Sequence, residues 1–324
     1  MFIRGSISRS GAVAFAILSL IFLVACTGGG TPDLGENFTI TDHAGRSIDF
    51  NGIPDKIISL SPGVTEIVFA LGLNDKLIGV TSFCDYPSEA QNIARVGGYS
   101  TVDKEKVIAT IGDSRNSAVI FASTLHVTPG GVISDIERLG YRAVVLEADT
   151  IDELFDCMRL VNKIGGGGPE ADAVIQSLEA RVDAVKSRIT ANTPGVTVIH
   201  EVFGGNWIAG AETLENDLIT IAGGKNVGAS MGTGYGQINI ESIIDTNPDR
   251  ITIVSQMGSM VDGLLSSEIT DNPVFRVLSA VENRQVYTIN ADIVSRSGPR
   301  AIDGLEEFAR ILHPELFGVP AFVR

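Results

Sequence analysis

Cysteine is scarce in this chain. Three residues, Cys26, Cys84 and Cys157, are spread over 324 positions without a C-x-x-C pair, which argues against a zinc ribbon or a thioredoxin-type redox motif. Histidine is equally thin. His43, His126, His200 and His313 are far apart in sequence, so no local metal-binding signature forms. Neither G-x-G-x-x-G nor a Walker A run occurs, so a nucleotide-dependent enzyme lacks its phosphate cradle. Positive charge is outweighed, with 24 Lys and Arg against 39 Asp and Glu and a net charge of −15. Nucleic-acid binding needs clustered cations to meet phosphates, and this balance speaks against it. The longest apolar run near the start, Ala12 to Ala25, falls short of the roughly 20 residues that span a bilayer.

What is present begins with Arg4 and Arg9, the apolar run, and Leu23-Val24-Ala25-Cys26. A basic start, an apolar stretch and small residues before a cut describe a secretory signal over residues 1–25. Cysteine directly after Leu-Val-Ala resembles a lipobox, which implies lipidation of Cys26 and anchoring to an extracytoplasmic membrane face. Without the first 25 residues the chain keeps 299 of 324 and, losing Arg4 and Arg9, moves from −15 to −17. That length sits at the limit of a single core and favours two domains, and 44% hydrophobic residues supply them. Cys84 and Cys157 then remain, and pairing between them depends on a distance that sequence does not give.

Thr27 to Asn37 is rich in Gly, Pro and Thr and reads as a tether over 26–37. A hairpin is expected around Ala44-Gly45. Strands are expected at Lys56–Leu60, Leu77–Val80, Ala118–Ala122 and Arg142–Leu146, with helices at Thr65–Leu71, Lys104–Ile111, Val132–Leu139 and Thr150–Ile164. Gly165–Gly168 breaks the last helix. Val174, Leu178, Val182, Val185 and Ile189 then carry helical spacing, with Pro169 fitting the first turn. A second series follows: strands at Val196–His200, Trp207–Ala209, Ile251–Val254 and Gln285–Ile289, and helices at Leu214–Ala222, Ile240–Thr246, Asn272–Ser279 and Pro299–Leu312. Strand–helix alternation predicts parallel sheets covered by helices. The domains expected are an N-terminal α/β lobe (38–168), a linker helix (169–192) and a C-terminal α/β lobe (193–324).

A short repeat links the halves. Glu105-Lys-Val-Ile-Ala-Thr110 and Glu241-Ser-Ile-Ile-Asp-Thr246 each precede a strand, with the glutamate in a first helical turn, where the helix dipole favours negative charge. Two matched acidic points on two lobes suit a two-fold symmetric partner; two well-charged helix starts would look the same.

The ordered motifs Asp42-His-Ala-Gly-Arg46, Ile57-Ile-Ser-Leu-Ser-Pro-Gly-Val-Thr-Glu66, Gly79-Val-Thr-Ser-Phe-Cys-Asp-Tyr-Pro87, Val96-Gly-Gly-Tyr99, Ala222-Gly-Gly-Lys-Asn226 and Ser297-Gly-Pro-Arg300 resemble the substrate-binding lipoproteins of ABC importers for vitamin B12 and iron–siderophores. The resemblance covers about residues 40 to 318, with a departure at Gly112-Asp-Ser-Arg115, where many relatives begin the next strand with Lys-Pro-Asp. It implies two Rossmann-like lobes joined by one long helix, a ligand cleft between them and little hinge bending. It also implies a permease dimer with a cytoplasmic ATPase as partner, Glu105 and Glu241 docking onto permease arginines. The nearest local likeness is to vitamin B12-binding proteins, which places Phe83, Tyr99, Trp207 and Tyr235 along the cleft and Asp292 and Arg296 on its rim. The ligand implied is a metal chelate, a corrinoid ahead of a ferric siderophore or haem, because Asp292 accepts from amides and repels an anionic catecholate. Arg300, opening the last helix, is expected to be structural.

Other readings stay open. A non-transport sensor lipoprotein would keep the cleft and need no docking pair. Gly228-Ala-Ser-Met-Gly232 matches the G-x-S-x-G of an exported hydrolase, but that elbow needs a helix after it, and Thr233-Gly-Tyr-Gly236 follows. No catalytic residue, resident cofactor or metal is expected.

Overall fold

The computed structural model describes residues 37–127, 131–203, 205–255 and 269–320. The signal segment, Cys26 and the tether up to residue 36 lie outside the described residues; Asn37, expected to end the tether, instead opens a strand.

The chain enters through a hairpin of β1 (Asn37–Thr41) and β2 (Ser47–Asn51). Phe38 and Phe50 stack across it with centroids 5.0 Å apart. Asp42 closes the turn. Its carboxylate accepts from the Ala44 and Arg46 backbone N–H groups, from the Arg46 guanidinium and from Val145 N–H. Burial alone would raise this carboxyl, and the Arg46 and backbone donors hold it below the ordinary range. The Asp-His-Ala-Gly-Arg motif is thus a clasp that pins the hairpin to the first lobe.

That lobe is a five-stranded parallel sheet of β3 (Lys56–Ser59), β4 (Leu77–Val80), β5 (Ala94–Arg95), β6 (Ala118–Ala122) and β7 (Arg142–Val145), ordered β5-β4-β3-β6-β7. Every residue of β6 is buried, as a central parallel strand covered on both faces requires. Helices α1 (Pro62–Ala70), α2 (Lys104–Ile111) and α3 (Val132–Arg138) make the crossovers.

The second lobe holds β8 (Val196–Phe203), β9 (Trp207–Ala209), β10 (Gly224–Asn226), β11 (Tyr235–Gln237), β12 (Arg250–Val254) and β13 (Val286–Ile289). Its order is β11-β9-β8-β12-β13, with β10 beside the start of β8. β10, β8, β12 and β13 are parallel, whereas β9 pairs antiparallel with β8 on one side and with β11 on the other, β9 and β11 forming an outer ribbon. The helices are α6 (Leu214–Ile221), α7 (Ile240–Thr246), α8 (Ser279–Glu282), α9 (Ala291–Val294), α10 (Ala301–Leu312) and α11 (Pro314–Phe317).

Between the sheets lie α4 (Ile151–Gly165) and α5 (Pro169–Lys186). α4 starts on a Thr150 cap and stops at Gly166, which takes the left-handed conformation (φ 70°) that glycine adopts without penalty. α5 opens on Pro169 and is 18 residues long, ending before Ile189. Asp172 on α5 accepts from Asn162 of α4, and Arg181 pairs with Asp303 and Glu306 of α10. One apolar cluster runs through both lobes, joining Ile57, Phe121 and Val144 to Val198, Ile289 and Phe308 by way of α1, α4, α5 and α10; two further clusters fill the outer faces of the sheets.

Two expected elements differ. The helix expected over Asn272–Ser279 is a 3₁₀ turn, Pro273–Val277, followed by α8, because Leu278 is extended (ψ 134°). Tyr235, in a glycine-rich run where no strand was expected, lies in β11. The strand forms because Gly210 and Gly228 carry no Cβ: one on Gly210 would stand 2.5 Å from the Gly232 carbonyl oxygen, and one on Gly228 would stand 2.1 Å from that of Ala209.

Candidate functional site: the cleft between the lobes

In open parallel sheets, ligands bind beyond the carboxyl ends of the strands. Here the segments that leave β3 (Ser61–Val64), β6 (Ser123) and β7 (Leu146–Asp149) meet Leu214, Tyr235 and Ser295–Ser297 of the second lobe around a cavity of about 350 Å³. That volume lies at the lower end of small-molecule sites. The lobes touch beside it. A Cβ on Gly63 would stand 2.4 Å from the Ser297 carbonyl oxygen, and Ser297 Oγ donates to the Ala148 carbonyl at 2.6 Å.

Of the six expected ligand residues, Tyr99, Tyr235 and Arg296 line this cavity. Tyr99 is fixed from below by His126. Ser123 N–H donates to His126 Nδ1 at 3.0 Å, so Nε2 carries the proton and donates to the Tyr99 carbonyl at 2.6 Å. The two rings meet edge to face at 5.4 Å. Burial lowers the His126 pKa despite these bonds, keeping the ring neutral. The Tyr99 hydroxyl donates to Ser123 Oγ.

Tyr235 is held from the opposite lobe. Its hydroxyl donates to Glu215 Oε2 at 3.0 Å. Glu215 is fully buried in the first turn of α6, below the Thr213 cap. Burial raises the Glu215 pKa, and the Tyr235 bond is among those pulling it back. Burial, then the Glu215 charge, push the phenol above its ordinary value. The ring itself stays largely open, Tyr235 being 46% exposed.

Arg296 faces the cavity, yet its guanidinium is already engaged. It pairs with Asp85 at 2.6 Å, Asp292 at 2.9 Å and Glu66 at 3.7 Å. Asp85 and Glu66 belong to the first lobe, so Arg296 joins the lobes. Arg300 does the same, donating to both Glu66 oxygens at 2.9 and 2.6 Å while its guanidinium lies 3.9 Å from the Tyr86 ring centroid.

Phe83, Trp207 and Asp292 are not among the cavity walls. Phe83 is half-buried against Gly98, and Asp292 stands with Arg296. Trp207 is 41% exposed on β9. The register sets Trp207 opposite Gln237 and Ala209 opposite Tyr235, so Trp207 and Tyr235 share one face of the ribbon.

Sequence reasoning missed Glu147, Asp149 and Glu215. The signal for the first two was available: Glu147-Ala-Asp149 follows β7 at its carboxyl end. Burial, then the charges of Glu147, Glu153 and Glu212, raise the Asp149 pKa. Cys84 and Cys157 are separate buried free thiols. Cys84 lies among Thr65 and Thr81, and Cys157 beside His43 and the Glu147 carbonyl. Ser230 closes a 3₁₀ turn by donating to the Val227 carbonyl.

Glu105 and Glu241 occupy matching places. Both are exposed in the first turns of α2 and α7. In each helix an Asx residue two positions earlier is the cap: Asp103 accepts from Lys106 N–H and Asn239 from Ser242 N–H. Neither glutamate has an ion pair among the described residues.

A family model described as periplasmic binding protein matches residues 57–293. The chain is 28% identical to an uncharacterised ABC transporter substrate-binding lipoprotein, YvrC, of Bacillus subtilis, over 95% of this chain and 98% of the relative. It is 24% identical to a vitamin B12-binding protein of Vibrio cholerae over 80% and 89% of the two chains. The crystal structure of the periplasmic vitamin B12-binding protein BtuF of Vibrio cholerae superposes with a TM-score of 0.67 at 25% identity, covering 80% of this chain and 96% of that one. Helicobacter pylori CeuE with Ni(II) bound gives a TM-score of 0.70 at 19% identity over 86% and 90%.

Proposed function

Because the chain belongs to the periplasmic binding protein family, we propose that it is the extracytoplasmic solute-binding component of an ABC importer, that it captures a metal chelate, a corrinoid ahead of a ferric siderophore or haem, and that it delivers this to a membrane permease. The observation that carries the reading is the pair of tyrosines, one from each lobe, facing one another's side of a cavity at the strand ends, with the exposed Trp207 on the same ribbon face as Tyr235. Aromatic faces bury much area of a flat macrocycle at low entropy cost. A corrin is larger than the cavity and would extend over this ribbon, where Gln237 and Trp207 lie. Its amide fringe suits carboxylate acceptors such as Glu147 and Asp149, which a catecholate or a propionate would not.

The work is binding and hand-over, with no covalent step. Lipidation at Cys26 would hold the protein at the membrane face, and α5 would serve as the rigid joint between the lobes. Glu105 and Glu241, capped alike, are the docking points for the permease dimer and its ATPase.

The test is titration of the chain from residue 27 with cobalamin, following Trp207 fluorescence. Saturable quenching in the native chain, with calorimetry showing weaker binding to Trp207→Ala, supports the placement. A Trp207→Ala variant that binds cobalamin as tightly as the native chain refutes it. Glu105→Lys with Glu241→Lys should abolish uptake in cells while leaving the titration unchanged; uptake that survives refutes the docking assignment.

A further inference from the structure

We infer that the cleft selects its ligand by charge, taking a cationic metal chelate over its neutral or anionic counterpart, with Glu147 and Asp149 as the residues that set this preference. The inference rests on the ligand reading of the cleft and adds a substrate class to it.

Among the described residues that line the cavity, Arg296 is the cation, and it is spent. Its guanidinium has Asp85 at 2.6 Å, Asp292 at 2.9 Å and Glu66 at 3.7 Å, and its side chain is only 6% exposed. Arg300, behind it, is paired with Glu66 as well. Taken together, two arginines meet three carboxylates, so this corner has no positive charge left for a ligand. Claiming Arg296 for an anion would strand the Asp85 and Asp292 carboxylates, since Arg300 is already engaged by Glu66.

Among the described residues around the cavity, the remaining ionisable groups are neutral or negative. Glu147 and Asp149 line the first-lobe wall. Glu147 is held as an acceptor by Thr124, through both N–H and hydroxyl. The charges that act on Asp149 come from Glu147, Glu153 and Glu212, all of one sign. Glu215 lies under the Tyr235 hydroxyl on the opposite wall. His126, beneath Tyr99, is neutral, its Nδ1 accepting from Ser123. Neither Glu147 nor Asp149 has an ion pair among the described residues, and carboxylates crowded together in this way lower the field energy of a cation that enters.

Two probe pairs isolate charge. Aquacyanocobinamide carries one positive charge and dicyanocobinamide none, on the same corrin ring. Ferrioxamine B carries a protonated amine, and its N-acetylated form is neutral with the same iron coordination. Haemin supplies the anion. Calorimetry on the chain from residue 27 should show the cation of at least one pair binding about tenfold or more tightly than its neutral partner at low salt, with the ratio shrinking as salt is raised. In Glu147→Gln with Asp149→Asn, checked for an unchanged melting curve, the ratio should collapse towards one. A native ratio near one, a ratio untouched by the double substitution, haemin binding tighter than either cation, or no saturable binding of either cation each overturns the inference. A cation preference seen only with the ferrioxamine pair, corrinoids failing to bind, would overturn the corrinoid reading and leave the charge rule standing.

Discussion

Arg300→Met is the substitution whose cost the structure specifies most fully. Glu66 is buried on α1, and its carboxylate receives two guanidinium bonds from Arg300 across the lobe boundary. Methionine keeps much of the length and removes the charge. Breaking a buried pair by deleting one partner costs about 3–5 kcal/mol, because the survivor stays buried without its counterion. Arg296, 3.7 Å from Glu66, offsets part of this, while the lost stacking on Tyr86 adds about 0.5–1 kcal/mol. A net loss of about 3 kcal/mol is expected in urea unfolding at pH 7. The pH dependence carries its own sign. Burial already raises the Glu66 pKa, with Arg300 the leading group that pulls it down. Without Arg300 the pKa rises further, so between the ordinary carboxylate range and the new value the folded state holds a proton that the unfolded chain has lost. Stability then falls as pH rises through that window, and the deficit at pH 7 should shrink at pH 5. Glu66→Leu added to Arg300→Met should recover most of the loss, since replacing both partners by apolar groups is close to neutral. A deficit under about 1 kcal/mol, or one that grows on acidification, would refute the description of this pair as a buried inter-lobe tie.

Three further outcomes follow from single sites. Tyr235→Phe removes a donor from the fully buried Glu215 and should cost about 1–3 kcal/mol in urea unfolding at pH 7; an unchanged midpoint would mean the hydroxyl bond is dispensable. Gly63→Ala would set a methyl 2.4 Å from the Ser297 carbonyl oxygen; a loss of about 1–3 kcal/mol is expected, and wild-type stability would show that the lobes do not meet so closely. His200 is fully buried beside Thr252, and burial lowers its pKa to about 3. The unfolded chain therefore binds a proton that the folded one refuses below about pH 6.5, stability should fall as pH drops from 7 to 5, and His200→Gln should flatten that slope.

The strand–helix alternation was legible because central parallel strands announce themselves as unbroken apolar runs: Ala118–Ala122 has the same limits in sequence and structure. Local features whose cause lies elsewhere in the chain were not legible. β11 reads as a glycine-rich loop, since what makes it a strand is the approach of Gly232 and Gly234 carbonyls to Gly210. Arg296, placed on the cleft rim by the resemblance, does not show its pairing in the sequence, since two of its three acidic partners, Glu66 and Asp85, lie more than 200 positions away. Tyr99 and Tyr235 were placed in the cleft by the resemblance to vitamin B12-binding proteins, whereas Glu215 was not, for an acidic residue in a first helical turn ordinarily signals only a favourable dipole. The repeat around Glu105 and Glu241 held more than its glutamates. Asp103 and Asn239, two places earlier, do the capping, and Asx at that spacing was present in the sequence to be read.

The same inter-lobe ties bear on how far the cleft opens. Opening would part Gly63 from Ser297, separate Arg296 and Arg300 from Asp85 and Glu66, and strain an apolar cluster that is continuous across both lobes. It would also pull against α5, which is bonded to α4 at Asp172 and to α10 at Arg181. Hinge motion in two-lobed proteins is absorbed by a few residues at element ends, whereas here an 18-residue helix occupies the chain between the sheets and buried charge pairs flank the cavity. Each broken buried pair costs several kcal/mol, more than the differential affinity most ligands bring. Loading should therefore move the lobes little. The radius of gyration, about 20 Å for a compact chain of this length, is expected to change by under about 1 Å when the soluble chain is saturated with ligand in small-angle scattering. A larger contraction would mean that the apo chain in solution is open, with Arg296 and Arg300 released from their first-lobe partners. Arg300→Met should then leave the apo dimensions unchanged, whereas a closed native cleft predicts that this substitution expands them.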